Sequence, residues 1–498
     1  MDLQKILNFR IPKGTVLFAD NACSTALSIM FTFDDLVPKK FTLICDFEKD
    51  VSDIQNLLER FISMLEFEHV ALLISSPIQK YQKHIQTFLD FEFDIFKIFT
   101  TVQNDDYSMI PKNVVQKSDL IQEINQILIP ITEHFSIIPS CSSLLPNILL
   151  GSSEDFNEGI EKGTSVIQNV LIQLLKKNVN NIKSFAYGDF SKKLAESLEN
   201  GRKGDNTDSV ALIIDRNLCC TPLFTNDGSL LDKAASLNLV SVLQDSNLIQ
   251  TELNDNLLPT LCKILDIDEK SNLSALSKKW ASLSKNEQFS ISKKYPSIQY
   301  ILDTSSNKDA NLVSQRILSA QNSLLNGADF DDIFASYCVS LKPNQIFKII
   351  GFQNCIHRIN FEEYLSDIPD DNSSSIKKEK YVDILNNCYS GVSFDLKQRS
   401  TFKPDELLFL PNILNFIFDK NAAVNNEITA PSSGLMGFNL FKSTQPSLKS
   451  FKNVYVFVIG GISFHELALI EKMEKSKSTN TEFHIFSDTI CSSIHLFD

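Results

Sequence analysis

Short apolar runs alternate along the chain with stretches whose apolar residues recur every three or four positions. Gly14-Thr-Val-Leu-Phe-Ala-Asp20 and Phe41-Thr-Leu-Ile-Cys-Asp46 each read as a strand closed by an acid, Val70–Ser75 as a third strand and Asp94–Thr100 as a fourth. Helical spacing fills the intervals. Ala22–Met30 is a short helix. Asp53–Leu65 puts Ile54, Leu57, Leu58, Phe61, Ile62 and Leu65 on one face, and Tyr81–Leu89 gives a third helix. Ser118 stands as the N-cap of a further helix carrying Leu120, Ile124, Ile127 and Leu128 on one side. This strand–helix alternation predicts a doubly wound α/β domain over residues 1–134.

A second α/β segment starts at residue 135. Ser136–Pro139 and Asn147–Leu150 are short apolar runs, and Asp155–Lys177 is a long helix with Val166, Ile167, Val170, Leu171, Leu174 and Leu175 as its stripe. Ile182–Gly188 reads as a strand, Phe190–Leu198 as a helix, and the polar loop at 201–208 feeds a strand at Val210–Ile214. From Leu230 to about Lys420 the periodicity is mostly helical; Asn311–Leu325, for example, places Leu312, Ile317, Leu318, Leu324 and Leu325 on a broad face. Asp303–Asp309 and Pro369–Ser375 read as solvated loops, and Asn421–Lys449 has little pattern of either kind. The α/β character then returns. Val454-Tyr-Val-Phe-Val-Ile459 has no polar face, so both sides of that strand are expected to be covered, as in a central parallel strand. A glycine turn, a helix over Ile462–Lys472 and a strand at Glu482–Phe486 follow. The strand most similar in character is Ser209-Val-Ala-Leu-Ile-Ile-Asp-Arg216, so one sheet is expected to hold both. That makes the second α/β domain discontinuous, residues 135–225 and 450–498, with a mainly helical domain, 226–449, inserted into it. No internal repeat at solenoid periods is found.

Composition narrows the partners. Hydrophobic residues make up 43% of the chain, with 37 Phe against a single Trp, which is enough for several cores. The formal net charge is −14 and no dense basic run occurs, which argues against nucleic acid, since phosphate contacts need clustered Lys and Arg. The ten cysteines form no C-x-x-C pair, and several sit inside apolar runs, the usage of reduced thiols in a cytosolic chain. The start, Met1-Asp-Leu-Gln-Lys5, does not read as a secretory signal, and no run of about 18 apolar residues suggests a membrane span. The expectation is a cytoplasmic protein recruited to membranes through partners.

Candidate chemistry centres on the turn Gly460-Gly461-Ile-Ser-Phe-His465. A nucleophile elbow needs G-x-S-x-G; here His465 replaces the last glycine. The order Ser463, Asp488, His495 mimics that of a hydrolase, and an α/β hydrolase-like enzyme using Ser463 is the alternative reading. The plainer reading makes Ser463 a helix N-cap with Glu466 completing a capping box. His465-Glu466 opens an H-E-x-x-H pattern, but Leu469 stands at the second ligand position, and Cys355 with His357 has no second pair at ligand spacing. Gly460-Gly461 lacks the remaining glycines of a dinucleotide loop, and the first strand ends in Asp20-Asn21-Ala22 where those glycines would stand. Asp215-Arg216 reads as a structural ion pair. The expectation is therefore no catalytic, cofactor or metal residues.

The chain resembles the SM (Sec/Munc) family of SNARE-binding vesicle-trafficking proteins. Gly14–Asp20 with Phe33-Asp-Asp-Leu36 and Phe41–Ile44 is similar to that family's opening strand–helix–strand, and Ala71–Pro77 with Phe96–Thr100 to later strands of its first domain. The two more specific segments are Ala211-Leu-Ile-Ile-Asp-Arg-Asn217 with Thr221-Pro-Leu223, and Val456-Phe-Val-Ile-Gly-Gly-Ile-Ser-Phe-His-Glu466. Their order and separation match a second domain interrupted by a third. The chain departs from the family pattern at Leu218-Cys-Cys220 and Phe224–Gly228 and is shorter in the helical domain, so it looks most like the divergent Sec family domain-containing branch. The resemblance implies an arch of two doubly wound parallel-sheet domains with a mainly helical domain inserted into the second. It also implies no enzymatic activity, a monomer, and a syntaxin-like SNARE or a vesicle-tethering subunit as partner, with a scaffold of the same fold for a non-SNARE complex as a further alternative.

Overall fold

The computed structural model describes residues 15–31, 41–47, 50–65, 69–91, 95–102, 121–139, 153–175, 182–199, 208–216, 220–225, 257–306, 308–338, 341–366, 451–476 and 482–490, with a few single positions excepted or added. The chain divides into two compact units, the first running to Ile129 and taking in Ile137–Ser142 and Glu161–Val179, the second comprising the remainder.

The first unit is built on a parallel sheet of β1 (Thr15–Ala19), β2 (Phe41–Asp46), β3 (His69–Ile74), β4 (Ile95–Thr100) and β5 (Ile121–Glu123), in the order β2-β1-β3-β4-β5. Helices α1 (Asn21–Met30), α2 (Val51–Leu65) and α3 (Gln82–Leu89) connect them. β1 is buried along its whole length, because neither face of a central parallel strand meets water. One face packs Val16, Phe18, Val70 and Leu72 against Ile54, Leu58, Ile85 and Phe88, and the Phe18 and Phe88 rings meet edge to face at 4.8 Å. The helix expected from Ser118 to Leu128 is not formed over its described part. Ile121–Glu123 instead pairs with Ile98–Thr100 as an edge strand. A four-residue apolar spacing carried by β-branched isoleucines suits either state, and the free edge of β4 decides it.

The second unit holds a sheet in the order β6-β7-β11-β10-β9-β8, from β6 (Ile129–Pro130), β7 (Phe135–Ile137), β8 (Lys183–Tyr187), β9 (Ser209–Asp215), β10 (Asn453–Ile459) and β11 (Glu482–Ser487). Helix α4 (Ser153–Leu175), which belongs to the first unit from Glu161 on, precedes β8 in the chain, and α5 (Asp189–Glu199) lies between β8 and β9. β8 to β11 run parallel. Residues 453–459 of β10 match 209–215 of β9 without a slip, although almost half the chain lies between them. The expected sheet holding both strands is therefore formed, with β10 among its inner strands.

The described elements between β9 and β10 are all helical: α6 (Thr221–Phe224), α7 (Leu257–Ile264), α8 (Leu273–Ser282), α9 (Lys285–Lys294), α10 (Ile298–Ser306), α11 (Lys308–Leu325), α12 (Phe330–Tyr337), α13 (Pro343–Ile356) and α14 (Phe361–Ser366). Helix α15 (Phe464–Ser476) follows β10. The chain leaving β9 enters the helical core at once. Leu223 and Phe224 are fully buried there, the Phe224 carbonyl accepts from Gln321 Nε2 at 2.7 Å, and its ring meets Phe347 at 6.0 Å. Gly351 of α13 lies so close to that ring that an added Cβ would sit 2.3 Å from it, so the crossing of α6 and α13 needs glycine. In α11 the buried face runs through Ser314, Ile317, Ala320, Gln321 and Leu324, and Leu312, expected on it, is exposed instead. The runs at 147–150, 217–219, 369–375 and 421–449, and Phe33–Leu36, lie outside the described residues.

Candidate functional site

Ligands of open α/β sheets bind beyond the carboxyl ends of the strands, where helix N-termini and glycine turns present free N–H groups. In this chain those positions are taken by its own carboxylates. The order β2-β1-β3-β4-β5 puts the switch point of the first sheet between β1 and β3. Asp20 sits there, 1% exposed. Its Oδ1 accepts from Cys23 N at 2.9 Å and so caps α1. Its Oδ2 accepts from Ser75 N at 2.5 Å, Ser75 Oγ at 2.9 Å and Tyr81 Oη at 3.4 Å. The acid that closes the first strand is thus a tie between β1, β3 and the helix that follows.

The second sheet repeats the device. Asp215, at the end of β9 and fully buried, accepts from Phe190 N and Ser191 N, both at 2.9 Å, and from Ser191 Oγ, capping α5 from the neighbouring strand. Gly188, with φ +108°, lies against it: a Cβ there would be 2.0 Å from Asp215 Oδ2. In dinucleotide folds a glycine at this turn lets phosphate approach the backbone. Here a carboxylate has that place, and an incoming anion would meet it. Asp488, at the end of β11, accepts from Gly460 N at 2.9 Å through Oδ1, while its buried Oδ2 has no partner among the described residues.

Burial pushes the carboxyl of Asp215 up to about 7 and that of Asp488 to about 6, against the hydrogen bonds from Phe190, Ser191 and Gly460 that pull both down. In the unfolded chain an aspartate titrates near about 4. Between about pH 4 and 7 these two groups therefore hold more protons in the folded protein than in the unfolded chain, and their contribution to stability falls as pH rises through that window, by up to about 4 kcal/mol from Asp215. Urea unfolding from pH 4.5 to 7.5 should show this decline, and Asp215→Asn should flatten it. An unchanged slope in that variant would mean Asp215 is ionised throughout.

A buried ion pair joins the end of β9 to α15. Arg216 and Glu466, 1% and 0% exposed at their side chains, form a two-pronged contact, Nη1 to Oε1 at 3.0 Å and Nη2 to Oε2 at 2.9 Å. Arg216 Nε also donates to the Gly461 carbonyl at 2.9 Å. The structural pair expected between Asp215 and Arg216 is not formed. Each acts separately, Asp215 toward α5 and Arg216 toward α15, because successive side chains at a strand end point to opposite faces. The hint available in sequence was an arginine directly after seven strand residues with no acid on its own side, and Glu466 in the first turn of α15.

Ser463 is the N-cap of α15. Its Oγ accepts from Glu466 N at 3.2 Å, and Glu466 Oε2 accepts from Ser463 N at 3.1 Å, the reciprocal capping box expected for this pair. The Ser463 hydroxyl also points to Glu466 at 3.4 Å, and the serine is 6% exposed. Asp488 spends its Oδ1 on Gly460 and Ser487 Oγ; His495 lies outside the described residues. Gly460 and Gly461, at φ +102° and +96°, supply the left-handed turn that swings the chain from β10 into α15. Cys355 is buried in the helical core and His357 exposed at the end of α13. Cys23, Cys220, Cys262 and Cys338 are, like Cys355, buried cysteines outside any disulfide. Among the described residues no helix is long and apolar enough to cross a membrane.

No protein-family model matches the chain, and no curated protein matches it in sequence. Solved structures do match its fold. The SM protein Vps45 aligns over 99% of this chain and 94% of its own with a TM-score of 0.53 at 11% identity. Vps45 in complex with the Qa SNARE Tlg2 aligns over 99% and 95%, with a TM-score of 0.53 at 12% identity. The Unc18–syntaxin 1 complex from Monosiga brevicollis aligns over 97% and 94%, with a TM-score of 0.52 at 12% identity. At such identities the likeness is one of fold: this chain has the fold of the SM proteins, two parallel α/β sheets with helices between the strands of the second.

Proposed function

We propose that this protein is a non-enzymatic regulator of vesicle-mediated transport, of the divergent branch of SM-type chains. It binds a syntaxin-like SNARE or a vesicle-tethering subunit and promotes docking and fusion. The observation that carries this reading is the whole-chain likeness to SM structures, two of which hold a Qa SNARE or a syntaxin. A protein with this fold built for nucleotide or acyl chemistry would keep its strand ends open; Asp20, Asp215 and Asp488 fill them, and Ser463 is engaged in its capping box. Function then rests on protein surfaces rather than on a catalytic cleft. We assign the partner-binding work to three parts, residues 1–134, the discontinuous 135–225 with 450–498, and the helical 226–449. The protein acts as a cytoplasmic monomer that reaches membranes with its partners.

Affinity capture of the tagged full chain from cells should recover a syntaxin-like SNARE, a tethering subunit, or both, and the purified pair should re-form in solution. Recovery of neither, with unrelated complexes in their place, would overturn the reading in favour of a scaffold of the same fold.

A further inference from the structure

We infer that α9 and the lysines beside it form a docking surface for an anionic lipid bilayer, an inference that goes beyond the SNARE-binding reading and stands without it. No residue of α9 is buried. Phe289 at its middle is 72% exposed, against 38–50% for Leu258, Ile172 and Leu312, the other exposed large hydrophobics among the described residues. Lys285, Phe289 and Lys293 follow one another at intervals of four, so they form a single stripe along the helix, and all three are exposed. Lys278 and Lys294 are exposed as well. From Lys278 to Lys294 there are five lysines and one acid, Glu287, in a chain whose net charge is −14. That acid is engaged at the helix start, where Glu287 Oε2 accepts from Ser284 N at 2.8 Å and Ser284 Oγ at 2.7 Å.

The helix is held from its other side. Gln288 Nε2 donates to the Trp280 carbonyl at 2.7 Å, Trp280 is itself buried, and Ile291 and Tyr295 are half-buried. Phe289 is therefore presented outward by a fixed helix. Isolated exposed apolar residues are ordinary on protein surfaces, but one standing in line between two lysines, in a segment whose net charge is opposite to that of the whole chain, matches a specific chemistry. Lipid headgroups attract the ammonium groups, the lysine stems lie along the surface, and the aromatic ring enters the boundary between headgroup and acyl chain. An acidic protein segment suits the charge equally but needs a groove or a free strand edge to hold it. A capped helix offers no strand edge, and a ring as open as Phe289 lines no groove. The acidic remainder of the chain is repelled by the same bilayer within a Debye length, which restricts approach to this face.

The test uses the full chain and sedimentation with vesicles of phosphatidylcholine alone or with phosphatidylserine, at about 0.1 M salt. Binding is expected only with phosphatidylserine. It should fall roughly twenty-five-fold in Lys285→Gln/Lys293→Gln, at about five-fold per lysine removed from the surface. It should fall roughly ten-fold in Phe289→Ser and disappear near 1 M salt, where screening acts over about 3 Å. Both variants change exposed side chains only and should melt with the parent. Absence of binding to phosphatidylserine vesicles at low salt, or binding that the two variants leave unaltered, overturns the inference. Capture of a glutamate-rich amphipathic peptide by α9 without any vesicle binding also overturns it and assigns the surface to a protein ligand.

Discussion

Arg216→Ala is expected to destabilise the protein by about 3–5 kcal/mol, because it leaves the Glu466 carboxylate buried without its cation. Among the described residues Glu466 would keep only Ser463 as a partner, on Oε2, and the Gly461 carbonyl would lose the Nε donor. The loss concerns more than one contact. Arg216 directly follows β9 and Glu466 lies in the first turn of α15, so the pair ties together segments separated by almost half the chain, next to the turn at Gly460-Gly461. Arg216→Lys should recover little, since an ammonium cannot reproduce the planar two-pronged contact and the Nε bond together. The informative comparison is Arg216→Met/Glu466→Leu. Replacing both charges by apolar groups of similar volume is often neutral, so the double variant should be at least about 2 kcal/mol more stable than Arg216→Ala. Denaturant unfolding of the three variants decides it. A double variant no more stable than Arg216→Ala would mean that Glu466 does not depend on Arg216, and a loss under about 1 kcal/mol for Arg216→Ala would place the pair in contact with water.

How much of this was legible in the sequence depends on the reach of each interaction. The capping box of Ser463 and Glu466 spans three residues and was readable in full. The strands at 209–215 and 453–459 were readable because two-sided burial leaves no polar position in either, and their pairing followed from that shared character. The partner of Arg216 was not readable: the nearest acid in sequence, Asp215, turns to the other face of the strand and holds α5. Likewise, strands closed by an acid were visible at Asp20, but not that Ser75 and Tyr81 would converge on it. The short strand at Ile121–Glu123 shows the opposite limit, since its apolar spacing suited a helix and only the open edge of β4 chose. The missing glycines of a nucleotide loop were legible as an absence. What replaces them, Asp215 against Gly188, needs the third dimension.

A second large loss is expected at Val458 when a polar group is placed there. It is 1% exposed and paired on both sides, opposite Ile214 of β9 and Ser487 of β11, and its carbonyl accepts from Ser487 Oγ at 2.8 Å. Val458→Asp removes a buried apolar side chain worth about 1.5–3 kcal/mol and inserts a carboxyl with no designated partner. An ionised carboxylate there would cost far more than the protein can bear, so the group would enter protonated and still leave a buried polar group that costs about 1–3 kcal/mol. The expected total of about 2.5–6 kcal/mol is a large part of the 5–15 kcal/mol by which a domain is stable, so the variant should be mostly insoluble or lose its cooperative transition. Val458→Ile separates polarity from shape: overpacking by one methylene typically costs about 1–3 kcal/mol and keeps the transition. Circular-dichroism melts of the two variants beside the parent measure this directly. A Val458→Asp protein that is soluble and melts with the parent would show that β10 is open to water on one face. That would remove the central strand on which the interrupted sheet, and with it the likeness to SM proteins, depends.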